Sequence, residues 1–376
     1  MPDPHPPTSR RTPLAQVHER LGATMTDFAG WLMPLRYGSE TAEHKAVRAA
    51  AGLFDLSHMG EIFVTGPGAA GALDYALTGE ASAIRPGRAR YTMICAPDGG
   101  VIDDLIVYRL AEQEYLIVSN ASNYATVAAE LAGRSAGYDA AVDDRSERYA
   151  LIAVQGPRSA TILARLTSTD LEQVRYYAGY RATVAGAAAL LARTGYTGED
   201  GFEIFIDPAD ATTLWPALAE AGRASGLIPA GLAARDSLRL EAGMPLYGNE
   251  LSRGVTPYDA GLGRVVKLDK PADFVGKAAL AARAEAPPDR VLVGIGGKSR
   301  RVPRHGYPVL WDGVPCGEIT SGIPSPTLGR PIAMAYVAAA VADAGAAADG
   351  RLAVDIRGSA EPAELVPLPF YRRPAG

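Results

Sequence analysis

The chain has 376 residues, which is long enough for two or three domains. Apolar residues make up 48% and charged residues 21%, so the composition predicts a folded protein and excludes global disorder. The net charge of −5 gives no electrostatic footprint for nucleic acid. The two cysteines, Cys95 and Cys316, exclude a disulfide framework and a four-cysteine zinc site.

The cellular compartment is predicted from two sequence features: the short apolar runs and the composition of the first residues. The longest near-apolar run, Val184 to Ala192, is far shorter than the ~20 residues that a membrane-spanning helix needs. The first residues contain prolines and Arg10-Arg11 but no apolar segment of a signal peptide, so residues 1–11 are predicted to be a disordered tail. We therefore expect a cytoplasmic protein that does not associate with membranes.

Helical and strand patterns follow one another without strict alternation. This order favours an α+β fold with antiparallel sheets over a regular parallel sheet. Ser39 is the candidate N-cap of the first helix, and Gly52 stands just past its predicted end. The predicted helices are Glu40 to Ala51, Ala69 to Leu77, Tyr124 to Ala132, Ser159 to Leu166 and Ala209 to Gly226. The predicted strands are Glu61 to Thr65, Arg90 to Cys95, Asp103 to Leu110, Glu114 to Ser119, Tyr149 to Gln155 and Gly201 to Ile206.

The sequence pattern changes in the C-terminal part of the chain. Ala278 to Arg290 reads as a helix end and a linker, and short β runs separated by Gly and Pro follow it. Asp312-Gly313 between two of these runs predicts a hairpin. The last ~85 residues are therefore predicted to form a separate all-β sandwich or barrel, with Ala338 to Gly350 as a loop. The β runs are Val291 to Ile295, Tyr307 to Trp311, Val314 to Ser321 and Ile332 to Val337.

Two adjacent carboxylates, Asp103 and Asp104, lie inside a predicted strand that follows Gly99-Gly100. Neighbours on a strand point to opposite faces, so one carboxylate must lie on the more buried side. Burying a carboxylate without a partner costs several kcal/mol. The pair is either a structural ion-pair partner or an acid that binds a polar ligand, and the pattern does not choose between Asp103 and Asp104.

The next predicted strand suggests a partner for one of these acids. A three-residue turn centred on Glu112 would place Asn120 opposite Asp104 on the same face of the hairpin. Ile106 and Tyr108 would share that face, whereas a turn of two or four residues would break the pairing.

Two further segments carry polar side chains in unusual settings. Arg193 to Glu203 has three glycines in seven residues, and it is either a connector or a ligand-lining loop in which Tyr196 stacks on a ring and Glu203 accepts hydrogen bonds. A helix closed by Gly243 and Pro245 carries Arg235 and Arg239 on one face. Surface pairing with Asp236 is the commoner explanation for such charges, although arginine also suits an acidic ligand tail.

The remaining candidates give weaker indications. The five histidines show no metal-ligand spacing, and His58, beside an apolar run, is interpreted as a satisfied core residue. Cys95 has no neighbouring base, which argues against a nucleophile. Lys298 to Arg304 is the only dense basic run that we identify, and it is either a solvated loop or a docking surface for an acidic partner.

These segments, taken together and in this order, resemble the glycine cleavage T-protein family of tetrahydrofolate-dependent aminomethyltransferases. The resemblance runs from about Thr12 to Arg373. The matching segments are Thr26 to Leu35, Gly52 to Glu61, Gly99 to Asp104, Arg193 to Glu203, Arg235-Asp236, Gly317 to Gly322 and Pro369 to Arg372.

The resemblance implies a fold of three domains in a cloverleaf ring around a folate site. It implies two interleaved α+β domains over residues 12–280 and a small β-barrel domain over residues 288–373. It also implies a reaction in which the aminomethyl group on the dihydrolipoyl arm of the partner H protein passes to tetrahydrofolate. The products are 5,10-methylenetetrahydrofolate, ammonia and the free dihydrolipoyl arm, and no metal takes part.

Residue roles follow from the same resemblance. The second carboxylate of the pair, Asp104, matches the key acid of the family and is expected to orient the folate nitrogens and raise their nucleophilicity. A C-terminal arginine, Arg372 or Arg373, is expected to guide the lipoyl arm. The positions that match the folate pocket are Met59, Tyr91, Asn120, Tyr196, Glu203 and Arg235.

Two other functions compete with this one. A folate-dependent demethylase or methyltransferase would use a different small methylated donor, but the flavin-linked members of that group carry a fused dehydrogenase domain. A folate-binding factor for iron–sulfur assembly would carry a cysteine motif where this chain reads Gly261 to Asp269 without cysteine.

Overall fold

The computed structural model describes residues 9–344 and 350–374 of the chain. Within those residues the secondary structure consists of nine α-helices, twenty strands and two short 3₁₀ turns. The helices are α1 (Ala15–Arg20), α2 (Glu40–Ala49), α3 (Ala69–Ala76), α4 (Tyr124–Arg134), α5 (Ser159–Leu163), α6 (Pro208–Arg223), α7 (Leu232–Glu241), α8 (Lys277–Glu285) and α9 (Ala339–Asp343). The strands are β1 (Arg10–Arg11), β2 (Thr24–Phe28), β3 (Trp31–Arg36), β4 (Ala51–Asp55), β5 (Gly60–Thr65), β6 (Arg88–Cys95), β7 (Val101–Ala111), β8 (Glu114–Ser119), β9 (Ala141–Asp144), β10 (Ala150–Gln155), β11 (Gly179–Val184), β12 (Ala187–Ala192), β13 (Gly201–Ile206), β14 (Leu227–Pro229), β15 (Arg290–Gly297), β16 (Pro308–Trp311), β17 (Val314–Pro324), β18 (Pro331–Ala338), β19 (Leu352–Ile356) and β20 (Ser359–Val366).

The chain divides into two compact units whose segments alternate along the sequence. The first unit contains the residues up to Ala76, then Glu80–Thr92 and Leu105–Asp236. The second unit contains Leu77–Gly79, Met93–Asp104 and the residues from Ser237 onward. Strands β6 and β7 and helix α7 each begin in one unit and end in the other.

A six-stranded sheet in the order β11-β12-β13-β10-β4-β14 forms the centre of the first unit. Its pairs are antiparallel apart from β14 with β4, and every residue of β10 is buried. Helices α5 and α6 pack on this sheet, with Leu214 and Trp215 in the core. The Asp207 carboxylate caps α6 by accepting from the N–H of Ala209. Pro208 stands in the first turn, where its missing N–H has no helical partner to lose.

Helix α2 corrects one prediction. Its N-cap is Ser39 as predicted, with the hydroxyl accepting from the N–H of Ala42 at 3.3 Å. The helix ends at Ala49, however, and Gly52 lies inside strand β4 rather than at a helix end. A Cβ atom at Gly52 would stand 2.5 Å from Cγ2 of Val47, so this glycine lets α2 pack closely on β4.

The β7–β8 hairpin of the first unit has the predicted register but a different turn. Ile106 pairs with Val118, the register on which the predicted Asp104–Asn120 pairing depends. The turn contains two residues rather than three, and the register shifts between Arg109 and Ala111. A bulge at Leu110 supplies the residue that the shorter turn lacks. The pairing of Asp104 with Asn120 itself stays a prediction.

The C-terminal strands form a closed barrel in the order β15-β18-β17-β16-β19-β20, which confirms the predicted all-β part. Asp312 and Gly313 have φ values of 48° and 79°, the left-handed pair that a tight hairpin turn needs. The mixed fold with mainly antiparallel sheets is likewise confirmed.

The structure also differs from the sequence expectations near the N-terminus and in the C-terminal part. Arg10 and Arg11 pair with Trp31 and Leu32 in a strand, although a disordered tail was expected there, and residues 1–8 lie outside the described part. Part of the predicted loop from 338 to 350 is helix α9, while residues 345–349 are not among the described ones. Strands β19 and β20 were not predicted.

A buried ion pair joins α7 to the barrel within the second unit. Arg239 is 1% exposed, and its guanidinium donates to Glu250 at 2.9 Å and to the hydroxyl of Ser321 at 2.8 Å. The other oxygen of Glu250 accepts from the hydroxyl of Thr320 at 2.5 Å. The expectation of a surface pairing was therefore wrong for Arg239. Both charges need their partners, because neither can be hydrated.

We expect Arg239→Met to leave the Glu250 carboxylate buried without a cation and to lower the free energy of unfolding by about 3–5 kcal/mol. Urea denaturation measures this loss. Arg223→Met is the matched control, because its pair with Glu220 is exposed and should be worth at most about 1 kcal/mol. Equal losses in the two variants would contradict the assignment of Arg239.

Candidate active site

The glycine-rich segment from Arg193 to Glu203 connects β12 to β13 and wraps around the side chain of Gln155. The Gln155 amide donates to the carbonyl of Thr194 at 3.0 Å, and its oxygen accepts from the hydroxyl of Thr197 at 3.0 Å. A Cβ atom at Gly195 or Gly201 would lie 2.0 Å or 2.4 Å from this amide. Both glycines are therefore required by close approach to Gln155, and the loop is a fixed element.

Two of the three acids in this loop form ion pairs. Arg193 binds both carboxylate oxygens of Asp200, at 2.9 Å and 2.7 Å. Arg48 donates to Glu199 at 2.9 Å and to a loop carbonyl at 2.7 Å. These pairs hold the loop in place, and they set Glu203 apart as an acid with a different environment.

Hydroxyl groups surround the carboxylate of Glu203 at the start of β13. The Thr194 hydroxyl donates to Oε2 of Glu203, and the Tyr108 hydroxyl lies 2.7 Å from the Thr194 oxygen and 3.4 Å from Oε2. Burial raises the pKa of Glu203, although the bond from Thr194, the charge of Arg235 and the bond from Tyr108 lower it. The carboxylate can thus exchange a proton or accept N–H donors more readily than a solvated one.

Arg235 and Tyr196 lie beside this acid in the first unit. The guanidinium carbon of Arg235 is 4.7 Å from the centre of the Tyr196 ring, a cation–π contact. Arg235 also lowers the pKa of both Glu203 and His58, so its charge acts on the whole cluster. The structure therefore brings together three of the predicted residues: Tyr196, Glu203 and Arg235. A flat ring, a cation and a buried carboxylate suit a planar heterocycle that carries N–H groups and negative charge.

His58 belongs to the same cluster, and our interpretation of it needs correction. It is buried at 2% exposure, as expected of a core residue, but its Nδ1 has no hydrogen-bond partner in the described part of the chain. Burial lowers the pKa of His58 to about 4, with the charge of Arg235 adding to the shift and Asp55 opposing it. The imidazole is therefore neutral at pH 7.

The carboxylate pair lies in the second unit, near Tyr247. Asp103 is fully buried and Asp104 is half-buried, which confirms that one carboxylate occupies the more buried side of the strand. The pKa of the Tyr247 hydroxyl is raised first by burial and then by Asp103, with Asp104 adding to the shift and Arg253 opposing it. Both carboxylates thus act electrostatically on one tyrosine.

The other predicted site residues are placed on three separate elements. Met59 is half-buried in the turn after β4, and its N–H donates to the carbonyl of Leu56. Tyr91 is half-buried in β6. Asn120 follows β8, where its carbonyl accepts the N–H groups that begin α4. The roles of these three residues stay predictions, and Arg372 and Arg373 are exposed near the C-terminus.

Sequence reasoning missed three contributors. Thr194 stands inside the 193–203 segment without an assigned role, Tyr247 follows the helix that carries Arg235, and the contacts of Tyr108 with Thr194 and Glu203 were not anticipated. For Thr194 and Tyr247 the available indication was a hydroxyl-bearing residue directly before a glycine. Among the described residues no group of three or more His, Cys, Asp or Glu is arranged to hold a metal ion, and no helix there is long and apolar enough to cross a membrane.

Comparison with known proteins places both parts of the chain in one family. Residues 14–270 match the GCVT N-terminal domain, and residues 290–372 match the glycine cleavage T-protein C-terminal barrel domain. The chain belongs to the glycine cleavage T-protein family.

Full-length relatives narrow the activity. The chain is 66% identical to an aminomethyltransferase of Saccharopolyspora erythraea over 97% of this chain and 99% of that protein. It is 65% identical to one of Streptomyces avermitilis over 97% and 98% of the two chains. A solved glycine cleavage system aminomethyltransferase from Bartonella henselae is 36% identical and superposes with a TM-score of 0.90 over 97% of this chain and 99% of that one. The chain is an aminomethyltransferase of the glycine cleavage system.

The lowered pKa of His58 predicts a pH dependence of stability. Between about pH 4 and its ordinary pKa of 6.5, the unfolded chain binds a proton at His58 that the folded protein does not. The free energy of unfolding therefore falls as the pH falls through this window, by roughly 3 kcal/mol from this group.

We expect His58→Gln to remove this contribution to the pH dependence of the free energy of unfolding, which urea denaturation at pH 7 and pH 4.5 measures. A His58→Gln protein with an unchanged pH dependence would contradict the assignment.

Proposed function

We propose that this enzyme transfers the one-carbon unit from the aminomethyl-dihydrolipoyl arm of a lipoylated H protein to tetrahydrofolate. The carbon loses its bonds to sulfur and to the amino nitrogen and gains two bonds to folate nitrogens. The two folate N–H protons leave on the thiol and on ammonia, so the products are 5,10-methylenetetrahydrofolate, ammonia and the dihydrolipoyl arm. The role is thus in glycine catabolism, and we place it in the cytoplasm, where cysteines outside disulfides are usual.

The observation that carries this proposal is the grouping of Tyr196, Arg235 and the buried carboxylate of Glu203. A pterin is flat and presents N–H donors along one edge, which an acceptor carboxylate in a dry site can bind strongly. Arg235 is suited to the carboxylates of the glutamate tail of the folate or to the mouth of the pocket. His58 is neutral, whereas Arg235 carries a positive charge that acts on both His58 and Glu203.

Asp104 is proposed as the catalytic acid, the role that the family resemblance assigns to it. Its half-buried position supports this choice over the fully buried Asp103, because a reacting group must reach its substrate. We propose that it orients the folate nitrogens and balances charge as the carbon is handed over. Most of the rate enhancement would come from holding two reactants at near-attack distance.

The remaining assignments rest on the family resemblance. We propose Met59, Tyr91 and Asn120 as further folate contacts, and either Arg372 or Arg373 as a guide for the lipoyl arm. The domain boundaries at residues 12–280 and 288–373 likewise stay predictions.

Reconstitution tests the proposed reaction. With tetrahydrofolate and aminomethyl-loaded H protein, we expect ammonia and methylenetetrahydrofolate in equal amounts, and neither when one substrate is omitted. Formation of neither product, together with methyl transfer to folate from a small methylated donor, would favour the demethylase alternative.

Asp104→Asn tests the catalytic residue. The amide keeps the size and the hydrogen-bonding capacity of the side chain but cannot carry charge, so kcat should fall by about 10²–10⁴-fold with near-normal folate binding. Single-turnover kinetics and equilibrium binding separate the two effects. The matched control is Asp98→Asn, at an exposed turn acid paired with Arg253, which should keep its activity. A fully active Asp104→Asn protein would remove this residue from the mechanism.

A further inference from the structure

Four arginines line a single surface cavity of the first unit, and no part of the proposed reaction uses them. The cavity has a volume of about 360 Å³, within the range of small-ligand sites. Ala83, Ile84 and Ala89 complete its wall. The four guanidinium-bearing residues are Arg85, Arg88, Arg90 and Arg175.

The backbone that presents these arginines is fixed before any ligand arrives. Arg85, Pro86, Gly87 and Arg88 form a tight turn closed by the N–H of Arg88 and the carbonyl of Arg85, with Gly87 at φ +77°. Hydrogen bonds tie this turn to the segment that carries Arg175. The N–H of Ala89 donates to Tyr177, the N–H of Gly179 donates to Gly87, and Arg88 and Ala178 form an antiparallel bridge.

The charges of the cavity have no carboxylate partner in the described part of the chain. Within residues 9–344 and 350–374, none of the four guanidinium groups has a carboxylate within 4.0 Å. Arg88 donates through Nη2 to the carbonyl of Tyr176 at 3.0 Å, while its Nη1 is buried without an acceptor. A buried cationic donor without an acceptor is costly, and negative charge placed beside Arg88 lowers that cost.

The basic run from Lys298 to Arg304 does not share this property. Lys298 lies 3.8 Å from Glu364, and Arg301 lies 3.2 Å from Glu361. Two of the four cations in that run thus have acidic partners on the barrel. The run was the basic region identified in the sequence, but the arginines of the cavity carry more uncompensated charge.

We propose that the cavity bounded by Arg85, Arg88, Arg90 and Arg175 binds a small polyanion that carries two or more phosphate or carboxylate groups. Guanidinium groups bind such oxyanions through two parallel hydrogen bonds, and four of them around one cavity exceed what a single carboxylate can satisfy. The two half-buried arginines, Arg88 and Arg90, form the inner wall, and the exposed Arg85 and Arg175 form the rim.

This site is separate from the proposed folate contact on the same strand. Arg88 and Arg90 alternate along β6 with Tyr91, so their side chains point to the face opposite to that of Tyr91. Binding to the cavity is therefore measurable without folate, H protein or turnover. Failure of the proposed reaction would leave this site untouched.

Calorimetric titration of the full-length protein tests the proposal, with inorganic pyrophosphate and citrate as separate probes at constant ionic strength. We expect one saturable site for at least one probe. Binding of pyrophosphate alone assigns phosphate groups, binding of citrate alone assigns carboxylates, and binding of both assigns polyanions in general. Arg85→Gln with Arg175→Gln should weaken this binding by about tenfold or more, because each removes a charged hydrogen bond at an exposed position.

The matched control is Arg300→Gln with Arg304→Gln, which changes the net charge equally at exposed arginines of the second unit. We expect its affinity to equal that of the wild type. Arg90→Gln, which alters the inner wall, should weaken binding as well. Absence of saturable binding to either probe, or an equal loss in both double variants, would overturn the proposal.

Discussion

The desolvation of carboxylates is the constraint on which this structure depends most. Asp55 in the first unit is 3% exposed and accepts from His18 at 2.9 Å and from the N–H of Ser57 at 2.9 Å, and these contacts lower its pKa despite burial. Burial raises the pKa of Glu203 although Thr194, Arg235 and Tyr108 oppose the shift, and burial raises the pKa of Glu61 as well. The Oε1 atom of Glu61 has no hydrogen-bond partner within the described residues, and the charge of Glu203 raises its pKa further. At Asp55 the hydrogen bonds outweigh the effect of burial on the pKa, whereas at Glu203 burial outweighs the opposing contacts and at Glu61 neighbouring acids add to the effect of burial.

Local patterns predicted those elements whose ends are set by their own residues. Strands β8 and β13 have the predicted ends, and the Asp312-Gly313 turn lies where two left-handed residues were expected. The β11–β12 hairpin was missed because Ala185 takes a φ of 50° at its turn, a conformation that alanine rarely adopts. Strand β4 was missed because a glycine after a helix suggests a helix end, whereas Gly52 makes room for Val47.

The site was predictable only in part. Its residues stand in short recognisable segments, but the side chains that they contact lie far away in the sequence. The glycines of the 193–203 loop were visible in the sequence, while their reason, the side chain of Gln155, lies about forty residues away. Whether an acid is paired with Arg48 or left among hydroxyl groups depends on such distant contacts, so Glu199 and Glu203 look alike in the sequence. The family resemblance supplied roles that spacing could not choose.

The bulge at Leu110 has a consequence for how this gene can change. A strand that slips by one residue exchanges its two faces, so a deletion or insertion in an ordinary hairpin would turn every following side chain over. Here the bulge at Leu110, next to the turn, compensates for the residue that the turn lacks. The strand pairs beyond the bulge therefore keep their register. We therefore expect that a one-residue change in the length of this tip leaves the residues toward Asp104 in their present orientation.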